Sequence, residues 1–191
     1  MADTLRLLVI TGLPASGKTA LAQRLALGFG AALLAKDDVK EALLDVLGAA
    51  DRQASRRLSA ASFAVLFALA RAQLAAAVSV LLEGNFRPEE HGARLAQLLE
   101  APAARTVRCA QVLCEVPETL RRARLAARAH DPARHAGHRD EELLAGPEPA
   151  GERGGESWLA LAGERFVHRG FEDPQWPALL AALERWWRGE P

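Results

Sequence analysis

The sequence lacks an excess of charge of either sign. Its 191 residues carry 24 Lys and Arg against 24 Asp and Glu, so the formal net charge is zero. A protein without a global basic field is not drawn to nucleic acid or to an anionic membrane by its overall charge. Nucleic acid remains possible as a partner through local basic stretches, but the composition does not favour it.

Cysteine is scarce as well, since the chain has only Cys109 and Cys114. The two lie in one predicted strand, and their odd spacing places them on opposite faces of it. Neither a disulfide nor a shared metal site is expected, and we interpret both as small buried hydrophobic residues. This cysteine usage suits a reducing cytoplasm, where we expect the protein to be located.

Long uninterrupted apolar runs are also missing. The most apolar stretch, Leu58–Leu82, is broken by Arg71 and Gln73, which predicts a buried helix leading into a strand rather than a membrane span. Residues 1–6 precede a strand and a glycine turn rather than a cleavage site, so we expect no secretory signal and no membrane. The length favours a single globular domain over residues 1–191.

Apolar runs alternate with segments of helical periodicity along the chain. Strands are predicted at Leu5–Thr11, Ala31–Ala35, Val78–Glu83, Thr106–Cys114 and Arg165–His168. Helices are predicted at Gly17–Leu27, Asp38–Leu47, Gln53–Ala77, Pro88–Leu99, Pro117–Ala129 and Pro174–Arg188. This alternation predicts a parallel sheet with helices on both faces. Residues 130–155, rich in Pro, Gly, His and charge, are predicted to form a loop.

One segment satisfies the phosphate-binding pattern G-x-x-x-x-G-K-[ST] completely. It consists of Gly12, Leu13, Pro14, Ala15, Ser16, Gly17, Lys18 and Thr19, followed by Ala20. Glycines let the backbone curl so that successive N–H groups face phosphate oxygens. Lys18 brings a positive charge to the β- and γ-phosphates, and the Thr19 hydroxyl can bind Mg²⁺. A buried strand precedes the loop and an amphipathic helix follows it, so we interpret the pattern as a functional phosphate loop rather than a chance match. We therefore expect ATP and Mg²⁺ as cofactors.

An acidic pair, Asp37 and Asp38, follows the predicted second strand. Side chains just beyond the ends of parallel strands face the ligand crevice, where a carboxylate can accept the proton of an attacking hydroxyl. Asp37 is our first choice for this general base. The alternative is that one of the two aspartates simply caps the following helix. Lys40, one helical turn later, could hold an anionic group of the substrate.

Glu83 ends a run of apolar residues, and this pattern resembles a Walker B element. A carboxylate in that position organises Mg²⁺ through Thr19 or through water. An ordinary polar strand end is the alternative, and a substrate-orienting role for Glu83 and Asn85 is equally compatible with the pattern.

Four arginines crowd the predicted fifth helix, namely Arg121, Arg122, Arg124 and Arg128. Arg124 and Arg128 are four residues apart and share a face. Aimed at a triphosphate, they would stabilise charge that develops on the transferred phosphoryl group. The alternative is that at least some of the four arginines form a solvent-exposed basic face. The spacing alone does not decide which arginines face the site.

Three histidines, His130, His135 and His138, lie in the predicted loop. A zinc site would need a tighter set of ligands, so we do not expect one there. A lid over the substrate, spanning approximately residues 117–155, is the better interpretation.

Together these residues resemble the P-loop kinases related to zeta toxins, chloramphenicol phosphotransferase and 5′-hydroxyl polynucleotide kinases. Members are often described only as AAA-type ATP-binding proteins. The resemblance covers about the first three quarters of the chain and rests on the phosphate loop, the Asp37-Asp38 pair with Lys40, Glu83 with Asn85, and Val116-Pro117 before the arginine helix. It implies an α/β P-loop NTPase fold: a five-stranded parallel sheet in kinase order, flanked by helices, with a mobile lid.

Carried over to this sequence, the resemblance implies that Asp37 is the general base and that Lys40 contacts a phosphate of the acceptor. It places Glu83 in the acceptor site, and it implies that Arg124 and Arg128 hold the ATP phosphates. Lys40 stands where the polynucleotide kinases carry arginine, which weakens the case for bidentate recognition of a nucleotide phosphate.

The sequence therefore favours an ATP- and Mg²⁺-dependent kinase that transfers the γ-phosphate to a hydroxyl of a small molecule. One alternative is a polynucleotide 5′-hydroxyl kinase, and another is a non-kinase module that uses ATP to switch binding of a protein partner. The expected catalytic residues are Asp37, Lys18, Arg124 and Arg128, and the expected substrate-binding residues are Lys40, Glu83 and Asn85.

Overall fold

The computed structural model describes residues 4–100, 105–131, 135, 144 and 157–190. Its strands are β1 Leu5–Gly12, β2 Ala32–Ala35, β3 Val80–Glu83, β4 Val107–Cys114 and β5 Glu164–His168. Its helices are α1 Lys18–Phe29, α2 Lys36–Leu47, α3 Arg52–Ala75, α4 Pro88–Leu99, α5 Glu118–Ala129 and α6 Trp176–Arg188. Strands and helices follow each other in the order that the periodicity predicts, including the consecutive helices α2 and α3.

The five strands form one sheet in the order β2-β3-β1-β4-β5, and every neighbouring pair is parallel. This confirms the predicted five-stranded sheet of a P-loop kinase-like fold. All eight residues of the central strand β1 are buried. A run of Leu, Val and Ile can occupy that position because helices cover both faces of a parallel sheet.

Each face of the sheet has its own hydrophobic core. Leu7 and Val9 point to the face covered by α3 and α4, whereas Leu8 and Ile10 point to the face covered by α1 and α6. This alternation follows from the two-residue period of a strand. The two cysteines divide in the same way, with one in each core, as their odd spacing predicts. Burial raises the pKa of both thiols to about 12.

Helix α3 is long and apolar enough to cross a membrane by length and composition alone. One such helix is weak evidence, because core helices pass the same test. Phe63, Leu66, Phe67, Ala70 and Leu74 of this helix are buried, and they pack in the core on one face of the sheet.

Several predicted boundaries shift. Helix α2 begins at Lys36, two residues before the predicted start, so the acidic pair belongs to its first turn. Gly28 lies inside α1 rather than after it, and Gly30, with φ of 59°, ends the helix instead. Strand β3 begins at Val80 rather than Val78, because α3 ends at Ala75 and the chain turns through Ala77, whose φ is 65°.

In a parallel sheet all strands end at the same edge, where ligands bind. At this edge β1 leads into the phosphate loop, β2 leads directly into α2, and β3 ends on Glu83. The fold therefore brings segments that are distant in the sequence to one edge.

Candidate functional site

A cavity of about 840 Å³, here called the main cavity, lies at this edge. Thirteen of the residues predicted from the sequence line it: Pro14, Ala15, Ser16, Gly17, Lys18, Thr19, Ala20, Asp37, Lys40, Glu83, Asn85, Arg124 and Arg128. Gly12 and Leu13 form the base of the loop and are not among the lining residues. The structure thus places nearly all of the predicted site residues around one space, while their chemical roles stay predictions.

The phosphate loop requires glycine where it leaves the sheet. Gly12 has φ of 155°, and a Cβ at this position would lie 2.7 Å from the carbonyl oxygen of Cys114. Gly17, with φ of 93°, also lies in the region that favours glycine. Between them the loop curls so that Lys18 Nζ donates a hydrogen bond to the carbonyl oxygen of Leu13 at 2.9 Å.

The loop offers several unused hydrogen-bond donors. Gly17 occupies the N-cap of α1 and has no side chain with which to cap the helix. The first N–H groups of a helix need acceptors from outside it, and an anion at the N-terminus supplies them. Ser16 Oγ is buried and has no hydrogen-bond partner among the described residues. This arrangement fits the oxygens of a bound phosphate.

The acidic pair lies in the first turn of α2, and both aspartates line the main cavity. The N-cap residue of α2 is Ala35, so the alternative that an aspartate caps this helix is wrong. Lys36 is buried, and its Nζ lies 3.0 Å from Asp37 Oδ1. The pKa of Asp38 is raised by partial burial and by the negative charges of Glu41 and Asp37.

Glu83 contacts the last residue of the phosphate loop. Its side chain is buried at the end of β3, and Thr19 Oγ1 donates a hydrogen bond to Glu83 Oε2 at 3.4 Å. Burial raises the pKa of the Glu83 carboxyl, although the nearby Lys18 ammonium lowers it and Asp37 raises it further. Glu83 therefore contacts Thr19, the residue through which a Walker B carboxylate would organise Mg²⁺.

The donor set also fits a magnesium ion. Within the described part of the chain, no three His, Cys, Asp or Glu side chains form a ready-made metal site. Mg²⁺ does not need one, because it keeps several waters and is bound through one or two carboxylates and substrate phosphates. The oxygens of Thr19 and Glu83 supply a suitable pair of protein groups.

The arginines of α5 divide into two pairs. Arg124 and Arg128 line the main cavity, and a Cβ on Gly17 would lie 3.6 Å from Arg124 Nη1, so this guanidinium reaches the phosphate loop. Arg121 instead donates hydrogen bonds to Glu118 at 2.7 and 2.9 Å. Arg122 is exposed and is not among the residues lining the main cavity.

Sequence reasoning missed the contribution of α3. Its first two turns place Arg52, Ser55, Arg56 and Ser59 on the wall of the main cavity. The spacing of three and four residues puts these side chains on one helical face, which is a visible signal. The direction of that face depends on how α3 packs, and the local sequence does not specify it.

The end of the chain also contributes. His168, at the end of β5, and Gly170 and Phe171, which follow it, line the main cavity. The guanidinium of Arg24 lies 5.3 Å from the centre of the Phe171 ring. The sequence contains no motif in this segment. Its place in the cavity wall becomes visible only because β5 pairs with β4 in the structure.

The predicted lid falls mostly outside the described residues, and so does His138. His130 ends α5, and its Nδ1 lies 2.8 Å from the carbonyl oxygen of Ala126. His135 Nε2 lies 3.0 Å from Asp45 Oδ1 on α2. A lid over approximately residues 117–155 stays a prediction.

A family model described as an AAA domain matches residues 7–145. The chain belongs to this AAA domain family. The chain is also similar to a protein from Chloroflexus aurantiacus J-10-fl, provisionally named a kinase, whose crystal structure was solved at 1.70 Å resolution. The two chains are 30% identical, each is covered completely, and the TM-score is 0.79.

Two further structures resemble this AAA domain protein more distantly. A chain of the Pnkp1/Rnl/Hen1 RNA repair complex is 16% identical with a TM-score of 0.52, over 75% of this chain and 44% of that one, which shows a shared fold alone. An unliganded sugar kinase from Janibacter sp. HTCC2649 is 18% identical with a TM-score of 0.49, over 97% of this chain and 95% of that one. No curated protein sequence matches significantly.

Proposed function

We propose that this AAA domain protein is a kinase that transfers the γ-phosphate of ATP to a hydroxyl of a small molecule. The observation that carries the proposal is the main cavity, which is lined by residues 14–19 of the phosphate loop and by a carboxylate from α2. The kinase name of the relative from Chloroflexus, matched over its full length, supports the same class of reaction.

The phosphate loop is proposed to bind the ATP phosphates. The first N–H groups of α1, the Ser16 hydroxyl and the Lys18 ammonium would contact phosphate oxygens. Lys18 Nζ lies at this loop, where it donates a hydrogen bond to the carbonyl oxygen of Leu13 at 2.9 Å. Thr19 and Glu83 would hold Mg²⁺, whose charge offsets the negative charge that develops during transfer.

Asp37 is proposed to be the general base. It would accept the proton of the acceptor hydroxyl while that oxygen forms a bond to the γ-phosphorus and the bond to the β-phosphate oxygen breaks, which releases ADP. Arg124 and Arg128 would stabilise the charge on the transferred group from the side of α5. Lys40 and Asn85 would orient the acceptor, since both line the main cavity.

Within the AAA domain family, the motifs of this chain fit best the group that contains zeta toxins, chloramphenicol phosphotransferase and polynucleotide 5′-hydroxyl kinases. This narrower assignment rests on Asp37, Lys40 and Glu83, which occupy the positions that the group uses around the acceptor.

The test is transfer of label from [γ-³²P]ATP with Mg²⁺ to a panel of nucleosides, sugars, sugar nucleotides, hydroxylated antibiotics and a 5′-hydroxyl oligonucleotide. Label on one acceptor, lost in Lys18→Met, would support the kinase. Label that appears only as free phosphate with every acceptor would contradict it and would favour an ATP-dependent binding module.

A polynucleotide 5′-hydroxyl kinase is the second candidate. The observation that favours it is a group of cations that line the main cavity, namely Lys36, Lys40, Arg52, Arg56 and Arg87. Such a kinase would bind a 5′-hydroxyl oligonucleotide with an affinity that falls steeply as salt is raised. Fluorescence anisotropy of a labelled oligonucleotide between 50 and 200 mM salt would measure this dependence.

A further inference from the structure

Three serines lie in the first half of α3, but their hydroxyls have different surroundings. Ser55 and Ser59 line the main cavity, whereas Ser62 is not among its lining residues. Ser62 is fully buried, and its Oγ donates a hydrogen bond to the carbonyl oxygen of Leu58 at 2.7 Å. A bond to the carbonyl four residues earlier is a common way for a serine inside a helix to satisfy its hydroxyl. Ser62 therefore needs no partner from outside the helix.

The hydroxyls of Ser55 and Ser59 are not satisfied in this way. Within the part of the chain that the structure describes, neither hydroxyl forms a hydrogen bond to a backbone group or to another side chain. Ser55 is nevertheless buried, and Ser59 is half-buried. Because polar groups at such positions usually have hydrogen-bond partners, the two hydroxyls are suited to bind a molecule in the main cavity.

The strand order places these serines near the proposed base. Helix α3 contacts α2, which carries Asp37, and it also contacts β2 and β3. These two strands lie on one side of β1, which leads into the phosphate loop, whereas β4 and β5 lie on the other side. A ligand group that reaches α3 therefore belongs to a molecule bound between the phosphate loop and α2, which is the place of the acceptor.

The chemistry of this part of the wall suits an uncharged polar group. Ser55 and Ser59 are four residues apart, which places their Cβ atoms about 6 Å from each other on one helical face. A serine hydroxyl can both donate and accept a hydrogen bond, and so can a hydroxyl of a ligand. The neighbouring charged residues, Arg52 and Arg56, already interact with other groups of the protein. The serine pair thus offers neutral hydrogen bonds to a ligand hydroxyl.

We infer that Ser55 and Ser59 bind a second hydroxyl of the acceptor, while the hydroxyl that receives the phosphoryl group lies beside Asp37. This inference rests on the proposed kinase function and narrows its substrate class to polyhydroxylated small molecules. Such a site discriminates against an analogue that lacks the second hydroxyl, because the polar groups of the protein then stay unpaired.

The first test measures binding without turnover. The whole protein is saturated with Mg²⁺ and the β,γ-imido analogue of ATP, so that the phosphate loop is occupied. Three matched pairs are then titrated by ligand-observed NMR: uridine against 2′,3′-dideoxyuridine, myo-inositol against cyclohexanol, and glycerol against 1-propanol. At least one polyol should bind saturably, and at least about tenfold more tightly than its partner. Binding of none of the polyols, or equal affinity within every pair, would overturn the inference.

Variants locate this binding. Ser55→Ala and Ser59→Ala should each weaken binding of the polyol about tenfold and leave its single-hydroxyl partner unaffected, because each removes one hydrogen bond. Alanine is a good helix former, so α3 itself should persist in both variants. Ser62→Ala is the matched control on the same helix, since its hydroxyl is bound to Leu58 and does not line the main cavity. Equal weakening in the control would overturn the assignment.

The second test uses label transfer from [γ-³²P]ATP to the same pairs. The polyol should have a kcat/KM at least about tenfold higher than its partner. Ser55→Ala and Ser59→Ala should remove this preference through the KM for the polyol, with the KM for ATP unchanged. Polyol binding that depends on both serines, without transfer to any acceptor, would contradict the kinase but support the hydroxyl site. Equally fast transfer to the single-hydroxyl partners, or a raised KM for ATP in the serine variants, would overturn the inference.

Discussion

Thr19 Oγ1 donates a hydrogen bond to Glu83 Oε2 at 3.4 Å, although 63 residues separate the two in the sequence. The contact exists because β3 lies directly beside β1, with Glu83 in register with Ile10, two residues before the phosphate loop. A buried carboxylate thus lies against the hydroxyl that the phosphate loop would offer to Mg²⁺.

Glu83→Gln should lower kcat about 100-fold and raise the Mg²⁺ concentration needed for half-maximal activity, because the amide cannot supply the negative charge that holds the metal. Initial rates over a Mg²⁺ titration measure both quantities. Glu89→Gln is the control, since Glu89 is exposed in the first turn of α4 and does not line the main cavity. An unchanged Mg²⁺ dependence in Glu83→Gln would contradict the proposed role.

The same substitution should stabilise the fold at neutral pH. Burial raises the pKa of Glu83 above its ordinary value of 4.5, so the folded state keeps the proton to higher pH than the unfolded state. Stability therefore falls as pH rises through the interval between the two pKa values. The glutamine side chain does not titrate. The Tm of Glu83→Gln should therefore exceed that of the wild type at pH 7, and the difference should disappear at about pH 4. Thermal unfolding at both pH values tests this, and a lower Tm at pH 7 would contradict it.

Asp37→Asn should lower kcat about 100-fold or more while the affinity for ATP changes little, because the proposed base acts on the acceptor rather than on the nucleotide. Asp38→Asn is the matched control one residue away, and it keeps more than half of the wild-type rate if Asp37 is the base. Single-turnover transfer and nucleotide binding should be measured separately. The reverse order of effects would assign the base to Asp38, whose pKa burial already raises.

The phosphate loop could be predicted in full from the sequence because its requirements are local. Gly12 and Gly17 both adopt a positive φ, and the loop joins a buried strand to a helix that begins at Lys18. The sheet was also predictable. A strand of Leu, Val and Ile must bury both of its faces, and the helical segments on either side of it in the sequence can cover them when the sheet is parallel.

Long-range features were harder to predict. A lysine is usually expected at the surface, yet Lys36 is buried and paired with Asp37. Its burial depends on how α2 packs against the sheet. The four arginines of α5 are equivalent as a pattern, yet a glutamate one turn earlier holds Arg121, while Arg124 faces the phosphate loop.

Arg124→Gln and Arg128→Gln should each lower kcat about tenfold or more, since each removes a positive charge from the wall facing the transferred phosphoryl group. Arg122→Gln is the matched control on the same helix, because Arg122 is exposed and does not line the main cavity. Steady-state transfer rates at saturating ATP are the measurement. Equal losses in all three variants would indicate damage to α5 rather than a specific role.

Gly163→Ala should destabilise the fold strongly. Gly163 has φ of 136°, and a Cβ there would lie 2.1 Å from the carbonyl oxygen of Cys109, a backbone atom that cannot turn away. Strain and overpacking of this kind cost about 3 kcal/mol, which corresponds to a fall in Tm of roughly 6 to 12 °C. Differential scanning calorimetry measures it.

The matched control is Gly28→Ala. Gly28 lies within α1, and no atom would approach its added Cβ within 4 Å. Alanine is the better helix former, so this variant should be as stable as the wild type or more stable by up to about 1 kcal/mol. If Gly163→Ala unfolds at the same temperature as Gly28→Ala, the close approach of residue 163 to Cys109 on β4 is wrong, and so is the start of the pairing between β4 and β5.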